Sequence, residues 1–425
     1  MAKTLKVVSS NLKTFLQNMN NDLPRLLLVT EASLNQTVTG LNRTLLNLFE
    51  DYPADRIMLF SSDKSMMRHS TSDQFQQNII SFKEEFIPYV HNRLGLYLNS
   101  FFAQINYQLT EWLPLANYDR IANFAPEIIL ICPNFAIDLV VGYKTIHCFD
   151  VPFLIYFMDD WVALNHSQWL SSNVQYICKF MLQKSSGWLM ISSQLELKLI
   201  HRYNINPQRS LVIHNPVSLR EKVFPDFIAN SGKTFKIVYT GAIWPMHYDA
   251  IAVVAKAIQE LRDINNQDIE LVVHTPPEFW KYYQQNLEKW GVVNGSYIPH
   301  SELNQYLQKA NLLLVASSFL PENHNLTSSS VQTKLTDYMA SGRPILSCGP
   351  KYAACNEFVK KWDIGLVIES NQVADIKTIL LKCIDNTVEL KASAQKAFEI
   401  VRDCFEINIV RSNLHEFIKQ TIMTQ

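Results

Sequence analysis

The residues with the clearest chemical potential lie within positions 328–347, which read SSSVQTKLTDYMASGRPILS. Four apolar residues of this segment recur at helical spacing: Val331, Leu335, Tyr338 and Met339. The spacing predicts a helix over Ser330–Ser341 that packs one face on a sheet and leaves the other for solvent or ligand. Ser329 or Ser330 is expected to cap its N-terminus, and Gly342 is expected to end it.

Lys334 and Asp337 occupy neighbouring positions about one turn into this helix. Backbone amides, serine hydroxyls and a lysine at a helix N-terminus suit a diphosphate, and a carboxylate further along can accept hydrogen bonds from ribose hydroxyls. The arrangement therefore fits a nucleotide-sugar site. A capped helix with an exposed Lys/Asp pair is the alternative, and spacing alone favours it because such pairs are common on helix surfaces.

Short apolar runs alternate with helical patterns along the chain, which predicts parallel sheets with crossover helices. In the first half the predicted strands are Arg25–Thr30, Arg56–Ser61, Glu127–Pro133, Phe153–Met158, Gly187–Ser192 and Leu211–His214. In the second half they are Lys236–Thr240, Glu270–Thr275, Leu312–Ala316, Pro344–Ser347 and Gly365–Glu369. The segment at 215–234 carries two prolines and an Asn-Ser-Gly sequence and is typical of a linker. The fold class is therefore α/β with two doubly wound domains.

The domain bounds follow from this division. An N-terminal domain is predicted over residues 1–217 and a C-terminal domain over residues 218–399. Helices at about 400–425 are expected to pack back on the first domain. Ligands of such sheets bind beyond the C-terminal ends of the strands, so two facing domains would place both sets of strand ends at a central cleft.

The composition narrows the function classes. The 425 residues carry 38 Lys and Arg against 39 Asp and Glu, so no net charge draws the chain to nucleic acid. The seven cysteines are scattered without a C-x-x-C pair and the histidines form no metal-spaced cluster, so we expect neither a disulfide framework nor a metal site. No apolar run reaches membrane-spanning length and the start lacks a signal-peptide core, which favours a cytoplasmic protein.

The segment TKLTDYMASGRPIL resembles the donor-site helix of GT-B glycosyltransferases, especially family-4-like bacterial enzymes of polysaccharide assembly with the string P-[ST]-K-L-x-[ED]-Y-M-A-x-G-x-P-[VI]. Two upstream segments resemble motifs of that family in the same order, and they read FKIVYTGAIWPMHYDAIAVVAKAI and SYIPHSELNQYLQKANLLLVAS. In the first half of the chain, the segment PFLIYFMDDW resembles the strand end that faces the donor sugar in enzymes of that family. The resemblance extends from about residue 25 to 370.

This resemblance implies two Rossmann-like domains facing a central cleft. It also implies a glycosyltransferase that moves a hexosyl or related sugar from a nucleotide-diphosphate donor to a glycan, lipid-linked or other acceptor, with retention of configuration and without a metal or other cofactor. The implied donor-binding residues are Gly241, Ala242, His247, Pro299, His300, Ser329, Ser330, Thr333, Lys334 and Asp337. The acceptor side would comprise Asn35, Thr39, Gly40 and Asp160, and the catalytic residues would be Asp159 and Lys334.

The sequence departs from the family pattern at three places. Ser329 stands where the first carboxylate of an E-x7-E motif is common, and the second member of that motif is Asp337. The positions after Gly241, where relatives often carry a basic residue, hold Trp244, His247 and Tyr248. The loop TEASLNQTVTG has Gly40 in place of a glycine pair. We expect these departures to rearrange the donor contacts or to abolish activity.

Several alternatives stay open. Asp159 and Asp160 follow an apolar strand as the metal-binding D-x-D of GT-A glycosyltransferases does, although that interpretation leaves the second α/β domain unexplained. A catalytically degenerate GT-B domain that acts as a partner or scaffold is one functional alternative, and a GT-B nucleotide-sugar epimerase is another. The aromatic stretch Leu94–Trp112 could rest on the inner face of a membrane, although a helix core is the commoner use of such a stripe.

Overall fold

The computed structural model describes residues 23–32, 34, 40–68, 75, 78–83, 85–90, 95–163, 172–219, 223–225, 234–265 and 267–423. The contacts within the chain divide it into two compact units. The N-terminal unit contains residues up to Ile213 together with those from Val410 onward, and the C-terminal unit is His214–Ile409.

The N-terminal unit is built on a seven-stranded parallel sheet in the order β3-β2-β1-β4-β5-β6-β7. Its strands are β1 Leu26–Val29, β2 Ile57–Ser62, β3 Ile79–Phe82, β4 Ile128–Ile131, β5 Phe153–Phe157, β6 Gly187–Met190 and β7 Ser210–Val212. Because β1 pairs with both β2 and β4, the order of the strands reverses at β1, as it does in Rossmann-like sheets.

Helices connect these strands and cover both faces of the sheet. They are α1 Gly40–Phe49, α2 Asp63–Arg68, α3 Gly95–Trp112, α4 Tyr118–Phe124, α5 Ala136–Cys148, α6 Ser172–Lys184 and α7 Ser193–Tyr203. Short 3-10 turns lie at Ala54–Arg56 and Trp161–Ala163. The alternation of side chains along β1 shows why the strands are apolar throughout, since Leu27 enters one core layer and Leu28 enters the other.

The C-terminal unit has a six-stranded parallel sheet in the order β10-β9-β8-β11-β12-β13. Its strands are β8 Phe235–Thr240, β9 Ile269–His274, β10 Val293–Asn294, β11 Leu312–Ala316, β12 Ile345–Cys348 and β13 Gly365–Ile368. The helices are α8 Pro245–Asn265, α9 Pro277–Lys289, α10 His300–Leu307, α11 His324–Thr327, α12 Lys334–Ala340, α13 Ala354–Trp362, α14 Val373–Asp385 and α15 Thr387–Ile400. A 3-10 turn lies at Pro321–Asn323 and a π-helical turn at Val401–Phe405.

The last helix, α16 Ile407–Met423, belongs for most of its length to the N-terminal unit. Its residues at helical spacing are buried in the core of that unit: Val410, Leu414, Phe417 and Ile418. The return segment is tied to the outgoing one, because the Val217 amide donates to the Phe405 carbonyl at 3.0 Å and the Ile407 amide donates to the Val217 carbonyl at 3.0 Å.

The predicted α/β class with two Rossmann-like domains is confirmed. Two edge strands were not predicted, Ile79–Phe82 and Val293–Asn294. The first is four residues long and half-buried, and the second is two residues long and exposed, so neither carries the continuous apolar run that marks a central strand.

Within the aromatic stretch Leu94–Trp112, residues Gly95–Trp112 form helix α3. Ala103 and Tyr107 of this helix lie in the core of the N-terminal unit, whereas Phe101 and Trp112 are exposed. Among the helices of the described residues, none combines the length and the apolar composition needed to cross a membrane.

Candidate nucleotide-sugar site

The reversal point of the C-terminal sheet lies between β8 and β11, which pair with each other at the centre. In open sheets of this kind, ligands bind beyond the carboxyl ends of the strands at such a point. β8 ends at Thr240 and is followed by Gly241, which has φ +103°. A positive φ in this range suits glycine, so the backbone can turn away from the sheet at once.

Lys334 reaches this loop from the first residue of helix α12. Its Nζ atom is buried and makes no hydrogen bond to the described residues, although other parts of the residue are accessible. The amine lies 3.7 Å from the centroid of the Tyr239 ring, and a Cβ atom built on Gly241 would lie 3.4 Å from it. Burial lowers the pKa of Lys334 to about 7. A buried amine without an acceptor is a natural place for an anion.

Two tyrosine hydroxyls order the loop after β8, one from α12 and one from β8 itself. The backbone amide of Thr240 donates to the hydroxyl of Tyr338 at 2.8 Å, and both residues are buried. The hydroxyl of Tyr239 lies 2.9 Å from the carbonyl oxygen of Ala242 and donates to it. The position of Gly241 relative to Lys334 is therefore fixed by hydrogen bonds between β8, its loop and α12.

His247 lies two residues into helix α8 and points into the same corner. Its Nδ1 atom is 3.1 Å from the Tyr239 hydroxyl and 3.2 Å from the Ala242 carbonyl oxygen, while its buried Nε2 atom has no partner among the described residues. Burial, and then the charge of Lys334, lower the pKa of His247 to about 3. The imidazole is therefore neutral, and one of its ring nitrogens is left for a ligand.

The predicted start of the Lys334 helix is wrong. The helix spans Lys334–Ala340, and the serines proposed as caps belong to the preceding turn. The Ser329 hydroxyl is buried and donates to the Asn325 carbonyl at 2.7 Å. Serine hydroxyls compete with a helix by bonding to nearby backbone, which explains why the serines after α11 form a turn instead of extending α12. The predicted end is confirmed, since Gly342 has φ +68°.

The other predicted donor-binding residues are spread along this edge. Ser330 precedes α12 and Thr333 is exposed at its start, while Asp337 lies one turn after Lys334 and is half-buried. Pro299 is exposed at the start of α10. His300 begins that helix, and its side chain lies outside the described residues. Their role in donor binding stays a prediction.

Of the two predicted catalytic residues, Lys334 lies in the C-terminal unit and Asp159 in the N-terminal unit, together with the described acceptor-side residues Gly40 and Asp160. Asp159 follows β5 and is half-buried. Both oxygens of the fully buried Asp160 carboxylate accept hydrogen bonds from Arg202, at 2.7 and 2.6 Å, so this geometry gives Asp160 a structural partner and no support for the predicted acceptor contact. Gly40 begins helix α1. Asn35 and Thr39 lie outside the described residues.

Sequence reasoning missed the tyrosines that shape the site and the arginine that pairs with Asp160. Tyr338 was predicted on the apolar face of its helix, and Tyr239 was predicted only as part of a strand. Both rings pack in the core, but their hydroxyls organise the loop. Arg202, in the last turn of α7, could have been suspected because a buried carboxylate needs a cation. The described residues contain no group of three or more metal-ligating side chains.

Residues 234–386 match the model of the family described as Glycosyl transferases group 1. The matched stretch lies within the C-terminal unit. The match includes Gly241, His247, Lys334 and Asp337, and the family resemblance seen in the sequence is confirmed. By sequence comparison, no curated protein matches the chain significantly.

Solved structures of GT-B enzymes share the fold over almost the whole chain. Anabaena HepE in complex with UDP and glucose is 14% identical with a TM-score of 0.63, over 93% of this chain and 100% of that one. Sucrose-phosphate synthase from Thermosynechococcus elongatus is 13% identical with a TM-score of 0.68, over 94% and 100%. The Escherichia coli trehalose-6-phosphate protein bound with UDP-2-fluoro glucose is 10% identical with a TM-score of 0.62, over 93% and 99%. These similarities establish the fold.

Proposed function

We propose that the protein transfers a sugar from a nucleotide-diphosphate donor to a hydroxyl-bearing acceptor. The observation that carries this proposal is the buried amine of Lys334, which has no acceptor among the described residues and lies beside Gly241 at the reversal point of a group 1 glycosyltransferase domain. Parallel sheets bind nucleotides at the reversal point of the strand order. A diphosphate there would supply the negatively charged acceptor that the protonated amine does not find among the described residues.

The donor is proposed to be a UDP-sugar. Two of the similar structures have UDP-glucose-type ligands in their names, HepE with UDP-glucose and the E. coli protein with UDP-2-fluoro glucose. A hexosyl group is therefore the first candidate for the transferred sugar. The acceptor is proposed to be a glycan or a lipid-linked sugar, as the sequence resemblance to enzymes of polysaccharide assembly implies.

The chemistry asks the protein to stabilise the departing diphosphate. A protonated Lys334 can do so at short range in a site from which water is excluded, where an electrostatic contact is stronger than in water. Gly241 lets the phosphate approach the backbone because no Cβ atom fills the space next to the amine. Asp337 is proposed to accept hydrogen bonds from the ribose hydroxyls.

The stereochemical course is proposed to be retention without a metal, with a donor phosphate oxygen taking the acceptor proton, so that no protein nucleophile is needed. The acceptor is proposed to bind to the N-terminal unit. Asp159, at the end of β5, is the base that we would test if the product shows inversion.

A second candidate function is a GT-B domain that binds nucleotides without catalysis. The observation in its favour is Ser329, which stands where relatives have a carboxylate and whose buried hydroxyl donates to the Asn325 carbonyl. A serine in this position cannot replace a charged contact to the sugar.

The decisive experiment incubates the purified full chain with UDP-glucose, GDP-mannose and dTDP-glucose, with and without sugar acceptors, and measures release of the nucleoside diphosphate. We expect release from UDP-glucose that is stimulated by acceptor and lost in Lys334→Met. Binding without turnover would favour the non-catalytic alternative, and conversion of the donor to an epimer without release would favour an epimerase. If none of the three nucleotide sugars binds, the proposed function is wrong.

A further inference from the structure

Among the described residues, no hydrogen-bond acceptor contacts the Lys334 amine. The titratable groups nearest to it come from three other elements: Tyr239 on β8, His247 on α8 and Cys355 on α13. Burial raises the pKa of the Tyr239 hydroxyl and of the Cys355 thiol, so both are neutral near pH 7. The imidazole of His247 is neutral as well.

The remaining elements packed against α12 are β11, α10, α15 and the π-helical turn, and they bring no compensating carboxylate to Lys334. β11 has no titratable side chain, and Glu302 of α10 is exposed. The carboxylates of α15 and of the π-helical turn are exposed: Glu389, Glu399 and Asp403. Asp337, on the same helix, lies one turn away, and its carboxylate makes no hydrogen bond to the Lys334 amine.

A protonated Lys334 in this buried position has lost its hydrating water molecules, and it contacts the face of the Tyr239 ring in their place. The contact with the Tyr239 ring at 3.7 Å recovers part of the lost hydration, but a ring face is a weaker partner than an anion. In the empty site, the neutral amine and the ammonium form of Lys334 are therefore close in free energy near pH 7. An anion that enters the site favours the ammonium strongly.

The loop after β8 adds no permanent cation. Between Gly241 and His247 the sequence is Gly-Ala-Ile-Trp-Pro-Met-His, and the one basic side chain in this stretch is the neutral imidazole. Lys334 therefore supplies the positive charge that the described part of this corner offers to a diphosphate.

We propose that Lys334 takes up a proton from solvent when the nucleotide-diphosphate group binds, so that the affinity for the donor falls as pH rises through neutrality. This inference rests on the proposed function, because it assigns the diphosphate to the same corner. The step is a protonation: the amine gains one proton from water or buffer, and no bond of the donor changes.

The direction of the pH effect follows from linkage. The bound anion raises the pKa of Lys334 above its value in the empty site. The affinity for the donor is therefore highest below the pKa that Lys334 has in the empty site, about 7. Between this pKa and the higher pKa of Lys334 in the complex, the affinity falls about tenfold per pH unit. A lysine already protonated in the empty site, or an arginine, would give a flat profile over this range.

The test is calorimetric titration of the full chain with UDP-glucose between pH 6 and pH 9, in buffers with low and high enthalpies of ionisation. Each phosphorus of UDP-glucose keeps one negative charge over this range. The uracil N3–H begins to lose its proton near pH 9, and because this ionisation is common to all variants, the Lys334→Met profile corrects for it. We expect the dissociation constant to rise about 10- to 100-fold from pH 6 to pH 9, and the enthalpy to depend on the buffer with close to one proton taken up at pH 8.

Three variants test whether Lys334, and not another titratable group, causes the pH dependence of binding. Lys334→Arg should bind with no proton uptake and a flat pH profile, and Lys334→Met should bind weakly with a flat profile. Lys377→Met removes a surface lysine of the same unit that pairs with Glu260 at 3.0 Å, and it should keep both the slope and the proton uptake of the unaltered protein.

Binding of UDP-glucose with equal affinity at pH 6 and pH 9 and without proton uptake would overturn the inference and leave the proposed function standing. A pH slope that persists in Lys334→Met would also overturn it, since another group would then be titrating. Absence of binding at every pH, repeated with GDP-mannose and dTDP-glucose, would instead remove the proposed function and this inference with it.

Discussion

A potentially charged side chain lies in a buried position beyond the carboxyl end of β5 and another beyond the carboxyl end of β8, but the surroundings of the two groups differ. After β5, the carboxylate of Asp160 is held by two hydrogen bonds from Arg202. After β8, the amine of Lys334 faces a tyrosine ring and has no acceptor among the described residues. The Asp160 carboxylate therefore has its partner within the fold, whereas the Lys334 amine has no partner among the described residues.

The difference teaches which buried charges carry function. A paired charge repays its desolvation inside the protein, and removing its partner destabilises the fold. An amine without an acceptor costs stability in the empty protein and recovers that cost when an anion binds. Substitutions at the two places should therefore change stability and binding in opposite senses.

The largest expected effect is on the Asp160 pair. Arg202→Met leaves the buried carboxylate without its partner and should lower the stability of the N-terminal unit by roughly 3 kcal/mol. Urea unfolding followed by fluorescence of the buried Trp188, which lies in this unit, reports the change. The double variant Asp160→Leu/Arg202→Met should recover most of the loss. A single variant as stable as the unaltered protein would show that the pair is not a structural element.

Lys334→Met should have the opposite pattern. The stability of the C-terminal unit should stay equal or rise by about 1 kcal/mol, because the unbranched side chain is only one atom shorter and an unsatisfied polar group is lost. The affinity for a UDP-sugar should fall by 10- to 100-fold, which corresponds to about 1.5–3 kcal/mol for a hydrogen bond to a charged group. Binding of uridine should change much less. An equal loss for the nucleoside would remove Lys334 from the phosphate site.

Tyr338→Phe tests how the loop after β8 is held. The substitution deprives the buried Thr240 amide of its acceptor and should cost about 1–2 kcal/mol of stability, with weaker donor binding because Gly241 is no longer fixed against α12. Tyr52→Phe is a matched control in the N-terminal unit, where the buried hydroxyl donates to the Pro24 carbonyl at 2.6 Å. It should cost stability and leave donor binding intact. Equal binding by both variants would show that the loop does not depend on Tyr338.

The smallest expected effect is at Asp337. Asp337→Asn keeps the shape and removes the charge, so the KM for the donor should rise about 5- to 10-fold while kcat changes less, as expected for a contact that ground state and transition state share. That difference corresponds to about 1 kcal/mol. Steady-state kinetics with varied donor concentration measures both constants. A loss confined to kcat would contradict the assignment to the ribose.

The sequence predicted the sheets well because their central strands are apolar on both faces. β11, Leu312–Ala316, has the predicted bounds, since five consecutive apolar residues can be buried on both sides. The start of α12 was mispredicted because the serine hydroxyls before it satisfy backbone carbonyls in a separate turn, as Ser329 does with Asn325. That choice depends on geometry that residue spacing does not encode.

The candidate site was predicted at the level of residue type. The motif placed Lys334 and Gly241 in one site, and the structure brings them together. Nothing in the sequence pattern indicated that the amine would be without a hydrogen bond or that Tyr239 would lie under it, because both facts depend on contacts between elements far apart in the chain. The same holds for Asp160, whose partner lies 42 residues away.

The return of α16 to the first sheet has a consequence for biosynthesis. The C-terminal unit is one uninterrupted stretch, His214–Ile409, inserted between two parts of the N-terminal unit. A growing chain on the ribosome can therefore complete the inserted unit first, while the sheet that was translated earlier still lacks Leu414, Phe417 and Ile418 from its core. Until those residues leave the ribosome, the face of the first sheet that they cover is exposed to water and to chaperones. This face includes Gly187, which lies against the Phe417 ring.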